Sequence, residues 1–390
     1  MEENKSNSEK SVLEPEKPAK KPTNWKKIVG ITGAVVLIAG VSGAVAYTMI
    51  NGSTKSDGTG VAETTLSGDG STLTLAEGEN LISAAGIYRV TGSISNGYIH
   101  VKAGDKDEVK IILDNVSITN PNGPAIYIES NGNTYIELVG ENTINATTND
   151  TLKGAIHSKA DLKLSGDGTL NIKSTLHGIV CKDDLEIDSG AYIIESGDDG
   201  INTNYSAKID GGTFTIKASG DGIHTDGYLE INDGNITVTA REGLEGTSIK
   251  INGGTIKITA TDDGINAANK SSEYTVGIEI NGGEITVDMG QGDTDAVDSN
   301  GYIYINGGTL NITAQSPFDY DGEAKYNGGT IIVNGTKTTS ITNQMMGGGG
   351  GGQMNPGEQA GGQASEQRTQ QQGGQNSSTR RMMMNKQQAQ

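Results

Sequence analysis

DGGTFTIKASGDGIHTDGYLEI (residues 210–231) is followed by NDGNITVTAREGLEGTSIKI (232–251) and NGGTIKITATDDGIN (252–266), three versions of one pattern. The pattern extends in both directions. Gly190, Gly212 and Gly234 are 22 residues apart, Gly254 follows after 20, Gly283 after 29 and Gly308 after 25. The longer steps hold insertions such as AANKSSEYTVG (267–277). A period of about 20 residues with local insertions is the signature of a solenoid.

Within each repeat the apolar residues alternate strictly, as in Ile256, Ile258 and Ala260 or Ile278 and Ile280. A period of two means strands with one buried face. Strands this short, joined by tight turns and kept in phase, predict a parallel β-helix in which equivalent residues of successive coils stack. The N-G-G corner supports this, because Gly supplies positive φ and Asn tolerates it. Asn252, Asn281, Asn306 and Asn327 are expected to form an amide ladder along that corner. Looser segments from about Leu66 to Gly168 read as earlier coils, so the body (61–342) is predicted to be nearly all β.

The chain has 390 residues and a net charge of −19. Residues 1–27 and 343–390 are each net +2, which leaves −23 for the middle. So acidic a body repels nucleic acid and anionic lipid and attracts cations. Residues 28–50 carry no charge and follow a lysine-rich stretch with Trp25. They read as an uncleaved membrane anchor with residues 1–27 cytoplasmic and the body outside the cell. The alternative is a signal peptide cleaved after AVA at Ala44 to Ala46. Residues 51–60 read as a linker, and the Gly/Gln/Met-rich residues 343–390 as a disordered tail. The single Cys181 reads as a buried apolar residue, and the scattered His100, His157, His177 and His224 offer no zinc spacing.

Acids recur at fixed points of the repeat. GDDGIN (197–202) returns as TDDGIN (261–266), with GDGIH (220–224) between them. One column holds Asp199, Asp221, Glu242, Asp263 and Asp295; a second, three residues on, holds Asn202, His224, Glu245, Asn266 and Asp298. Asp198, Asp226, Asp262, Asp293 and Asp319 flank them. Ile201, Ile223, Leu244, Ile265 and Val297 lie between the columns and are expected to point inward, with both columns facing out. Stacked strands are about 4.8 Å apart, and like charges at that distance repel by about 1 kcal/mol even in water. Hard oxygen ligands without thiolates suit Ca²⁺. The expected ligands are Asp198, Asp199, Asn202, Asp221, Asp226, Glu242, Glu245, Asp262, Asp263, Asn266, Asp295 and Asp298. A merely solvated acidic face is the alternative, since neither an EF-hand loop nor the Gly-rich nonapeptide calcium repeat is present.

The repeat I-N-G-G-T-[IL]-x-I-x-A-x-x-D-G-I-[NH], over about residues 60–342, resembles that of bacterial cellulose- and acid-sugar-binding β-helix proteins, the carbohydrate-binding domain-containing proteins. The resemblance implies a right-handed parallel β-helix related in fold to pectate lyases, bound Ca²⁺, and affinity for acidic polysaccharide and cellulose. Asp199, Asp221 and Asp263 match the acidic turn; Glu242 and the DTDAVD stretch (293–298) depart from it. Tyr228, Tyr302 and Tyr304 are candidate sugar-stacking residues. Catalysis is not expected. The lyase alternative needs a metal-acidified proton and an unprotonated base, for which Arg241, Lys182 and Lys270 are candidates. A calcium-stiffened surface rod is the third reading.

Overall fold

The computed structural model describes residues 63–65, 69–130, 132–290 and 294–343. The chain divides into two units, Met1–Met346 and Gly347–Gln390, and all described residues belong to the first. They form a parallel β-solenoid without a helix. Among them, no helix is long and apolar enough to cross a membrane. The expected anchor (28–50), linker (51–60) and nearly all of the tail (343–390) lie outside the described residues, as does Asp293.

One coil shows the plan. Ile201–Thr203, Ser206–Ile209 and Thr213–Ala218 lie on three successive faces. The chain then returns as Ile223–Thr225, which pairs in parallel with Ile201–Thr203. The first face is a 12-stranded sheet running from Glu63–Thr65 to Asp319–Tyr320. The second and third faces are joined by the long strand Glu108–Asn120, which pairs with Asn133–Val139 and then with Glu141–Ala146. Parallel strands ordinarily need long crossovers; here the rest of the coil is the crossover. The last strand, Thr336–Thr338, runs antiparallel on Thr330–Val333 and covers that edge of the final coil.

The alternation in sequence becomes alternation in burial. In Thr255–Ala260 the residues Ile256, Ile258 and Ala260 are buried and Thr255, Lys257 and Thr259 exposed. Ile278 and Ile280 stack below Ile249 and Ile251. Cys181 is part of this core, and burial pushes its thiol pKa up.

The corners follow the expected chemistry. The second glycine of each corner has positive φ, for example 104° at Gly212 and 90° at Gly283. Beside it runs the amide ladder. Asn327 donates to Asn306, Asn306 to Asn281, Asn281 to Asn252, and Asn252 to Asn232, at 2.7–2.8 Å. Asn232 donates to Asp210 Oδ1 at 2.7 Å, and Lys208 holds the other oxygen of that carboxylate at 2.6 Å.

Gly222 is needed for a different reason. A Cβ there would lie 2.3 Å from Val238 Cγ1 and 2.6 Å from the Gly243 carbonyl oxygen. The acidic turn is where side chains of the third face reach across to the backbone of the first, leaving room for hydrogen alone.

Two stability predictions follow from these contacts. Asn281→Ala strips partners from the amides above and below it and should cost about 1–3 kcal/mol. Asn327→Ala, at the exposed end of the ladder, should cost less; equal losses in denaturant melts would argue against the ladder. Gly222→Ala should overpack the turn and cost on the order of 1–3 kcal/mol, and a neutral result would show that the turn can yield.

Candidate functional site

The two predicted columns form, in register, on the first face. Asn202 pairs with His224, His224 with Glu245, Glu245 with Asn266, Asn266 with Asp298, and Asp298 with Asp319. The first column is carried by backbone bonds. The amides of Gly200, Gly222, Gly243 and Gly264 donate to the carbonyls of Asp221, Glu242, Asp263 and Asp295 at 2.8–2.9 Å.

The columns do not simply face out. Asp199, Asp221, Glu242, Glu245 and Asn266 are each less than one-tenth exposed. The strand between them is three residues long, so the columns lean over it and successive copies cover one another. First-column carboxylates also fold back on the backbone. Asp199 Oδ1 accepts the Asp221 N–H at 2.8 Å, and Asp263 Oδ1 accepts the Asp295 N–H at 3.3 Å. Second-column amides tie across. Asn202 Nδ2 donates to Asp199 Oδ2 at 2.8 Å. Asn266 Nδ2 donates to Glu242 Oε2 at 3.0 Å and Asp263 Oδ2 at 3.3 Å.

Several carboxylates are answered by cations of the chain itself. Arg241 reaches Asp221 at 2.8 Å, Glu242 at 2.5 Å and Asp262 at 2.6 Å. Lys270, from the 267–277 insertion, lies 2.5 Å from Glu245. The Lys270 and Ser271 amides donate to Thr247 Oγ1, which anchors the insertion there. His224 Nδ1 lies 3.0 Å from Asp221 and 2.5 Å from Glu245, and its Nε2 lies 3.2 Å from Asp226. Burial opposes its charge, but these carboxylates prevail and raise its pKa to about 10. Glu245, which burial alone would raise, is held below the usual carboxylate range by His224, Asp221 and Lys270.

Burial nonetheless leads the causes that raise Asp221 and Glu242, and toward the C-terminal coils the fixed cations end. Among the described residues, neither Asp263 nor Asp298 makes an ion pair with Lys, Arg or His. Burial, then the charges of Asp298, Asp262 and Glu242, raises Asp263 to about 7. Burial and the charges of Asp295 and Asp319 raise Asp298 to about 6. Between them Asn266 Oδ1 is buried with no hydrogen-bond partner. A buried amide oxygen without a donor costs on the order of 1–3 kcal/mol, and a cation is the partner that its acidic neighbours would also accept.

Closely spaced groups able to hold a metal include Asp199, Asp221 and His224, then Asp221, Glu242 and Glu245, and also His177, Asp198 and Asp199, with ligand atoms within 4.8 Å in each. Asp226 enters through His224, and Asp295 accepts a hydrogen bond from Ser316. Two further acidic groups escaped the sequence reading, Asp161 with Asp183 and Asp184, and Glu186 with Asp188 and Asp210. Lys163 and Lys208 already neutralise the second of these.

A family model of carbohydrate-binding domain-containing proteins matches residues 76–247 and 221–380. The chain belongs to that family. A carbohydrate-binding domain-containing protein of Acetivibrio thermocellus is 29% identical over 135 residues, covering 32% of this chain and 47% of the relative. The chain thus spans about half the length of that curated relative. A solved structure of a polysaccharide lyase-like protein from C. thermocellum, a gadolinium derivative, is 25% identical. The match covers 69% of this chain and 92% of the other at a TM-score of 0.38, too slight a likeness to transfer fold or chemistry.

In this carbohydrate-binding family member, the three nominated tyrosines lie on the second face. Tyr228 starts Tyr228–Ile231, and Tyr302 and Tyr304 lie in Tyr302–Ile305. Tyr228 stacks on Tyr274 with ring centroids 6.1 Å apart, and Tyr302 leans on Tyr304 at 4.4 Å. Lys325 caps the Tyr304 ring at 4.7 Å. The structure does not bring these rings into the acidic columns. Instead, the second column continues upward through Val180, His157, Tyr127 and His100. His100 stacks on Tyr127 at 5.0 Å, and Lys159 lies 5.3 Å from the Tyr127 ring. The alternating pattern around His100, Tyr127 and His157 was the available signal, but the irregular early repeats hid that these residues align.

The raised acids set the pH dependence without metal. A carboxyl whose folded pKa lies above its unfolded value of about 3.9 stabilises most below the unfolded value and loses that contribution as pH rises through the folded one. For Asp298 and Asp263 the loss ends near 6 and 7. Metal-stripped chain should therefore melt progressively lower between about pH 5 and about pH 7, and Asp263→Asn should flatten the slope. A melting temperature that rises over this range would contradict the burial of these acids.

Proposed function

We propose that this domain is an extracellular, membrane-anchored, calcium-dependent binder of acidic polysaccharide, polygalacturonate-like in its spacing of carboxylates, with cellulose a secondary ligand. Family membership supports carbohydrate as the partner. The observation that carries the calcium reading is Asn266 Oδ1, a buried oxygen without a donor, set beside Asp263 and Asp298. All three are hard oxygen ligands of the kind Ca²⁺ takes. A bound Ca²⁺ would supply open coordination positions for a uronate carboxylate, which a neutral sugar lacks. Residues 28–50 would hold the domain at the membrane, and the right-handed coil implied by the family resemblance belongs to the same proposal.

Binding is favoured over elimination by the state of the candidate bases. Burial opposes the Arg241 charge, but Glu242, Asp221 and Asp262 more than offset it and raise its pKa, so the guanidinium stays protonated. Lys270 is likewise raised against burial by Glu245. Lys182 donates to Asn204 Oδ1 at 3.0 Å. None is presented as a free base.

Electrophoresis of the full chain through a gel containing polygalacturonate tests the reading. Migration should be retarded in calcium and released by chelator, and Asp263→Asn with Asp298→Asn should weaken retention at least about tenfold, about 1.4 kcal/mol. Equal migration with and without calcium would defeat the proposal. Accumulation of unsaturated uronate in the same samples would make the protein a lyase instead.

A further inference from the structure

We propose that Arg241 and Lys270 are resident cations that close the middle of the acidic columns to metal, leaving a single divalent-cation station built on Asn266 Oδ1, Asp263 and Asp298. This rests on the reading that the columns bind metal, and it says where and how many.

The sequence treats all coils alike: each contributes one acid to the first column and one oxygen or nitrogen donor to the second. The structure does not. Asp221, Glu242 and Glu245 bring three carboxylate oxygens within 4.8 Å of one another, with no histidine among them. By ligand type alone this would be the preferred calcium position. Yet it is already filled. Arg241 occupies the flanking position that holds Asp198 two coils earlier and Asp262 one coil later, as the Asp262 N–H bond to the Arg241 carbonyl shows. From there one guanidinium bridges three successive coils, through Asp221, Glu242 and Asp262. Lys270 reaches Glu245 from an insertion pinned to Thr247. A metal at this position would have to expel two fixed charges that cannot diffuse away.

One coil further on, the substitutions end. Asp262 and Asp263 replace Arg241 and Glu242, Asn266 replaces Glu245, and Asp298 follows in register. Asp263 and Asp298 have no basic partner among the described residues. Asn266 is 8% exposed, donates with Nδ2 to Glu242 and Asp263, and leaves Oδ1 unsatisfied. That orphan oxygen points to a ligand independently of the acids around it, and the acids make the ligand a cation. Fixed and diffusible cations thus alternate along one column.

Calorimetric titration of metal-stripped full-length chain with calcium alone, without sugar, tests this. With the separate Asp161, Asp183 and Asp184 group removed by Asp183→Asn and Asp184→Asn in every sample, otherwise wild-type chain should bind one ion. Asp298→Asn should abolish it and Asn266→Leu should weaken it at least tenfold. The double variant Arg241→Gln, Lys270→Gln should bind two ions, the second at Asp221, Glu242 and Glu245, whereas Arg241→Lys should still bind one. Two or more ions in that background, or one in a folded double variant, would overturn the assignment. If the double variant does not fold, the wild-type stoichiometry and Asp298→Asn still decide it. No calcium heat in any variant would remove the metal reading as well. One ion without polysaccharide retention would leave this station standing and remove only the sugar.

Discussion

Hydrogen bonds between successive coils hold the strand residues of this solenoid over their equivalents one repeat away. Any chemical choice made once in the repeat is thereby made along a whole column, at about 4.8 Å spacing. Apolar choices give continuous inner stacks such as Ile201, Ile223, Leu244, Ile265 and Val297. Amide choices give a self-satisfying ladder, because each carboxamide can donate to the next and accept from the one before. Carboxylate choices have no such solution. Acceptors stacked on acceptors repel, and partial burial strengthens the repulsion several-fold over its value in water.

The protein meets that problem in three ways. Backbone amides take some of the oxygens, as Asp221 N–H does for Asp199. Side chains of the chain itself take others, with Arg241 spanning three coils and Lys270 supplied by an insertion. What is left, around Asn266, Asp263 and Asp298, has no basic partner for its acids among the described residues and contains an oxygen with no donor. Fixed cations therefore serve the columns from Asp221 to Glu245 and, among the described residues, make no ion pair with Asp263 or Asp298.

Much of this was legible in the repeat. The alternation of Ile256, Ile258 and Ala260 specified the inner face, N-G-G specified the corner and its ladder, and the spacing of GDDGIN and TDDGIN put the acids in register. Features independent of the period were not legible. The ladder's true start at Asn232 and Asp210 lies in NDG and DGG, where the corner motif is degraded. The close approach that leaves Gly222 no room for a Cβ depends on Val238 of the third face. Where Lys270 lands depends on how an insertion folds back. The stacking of Tyr228 on Tyr274 depends on that same insertion, which is why an apparent sugar platform is instead occupied by a second ring.

The central claim is that the acidic columns hold metal at one point, set by the chain's own charges. Crystals soaked in calcium, with anomalous scattering recorded from the ion, test it most directly. The account predicts one peak on the first face, in contact with Asn266 Oδ1 and the carboxylates of Asp263 and Asp298. A peak among Asp221, Glu242 and Glu245 with Arg241 still in place, or a face with no peak at all, would contradict it.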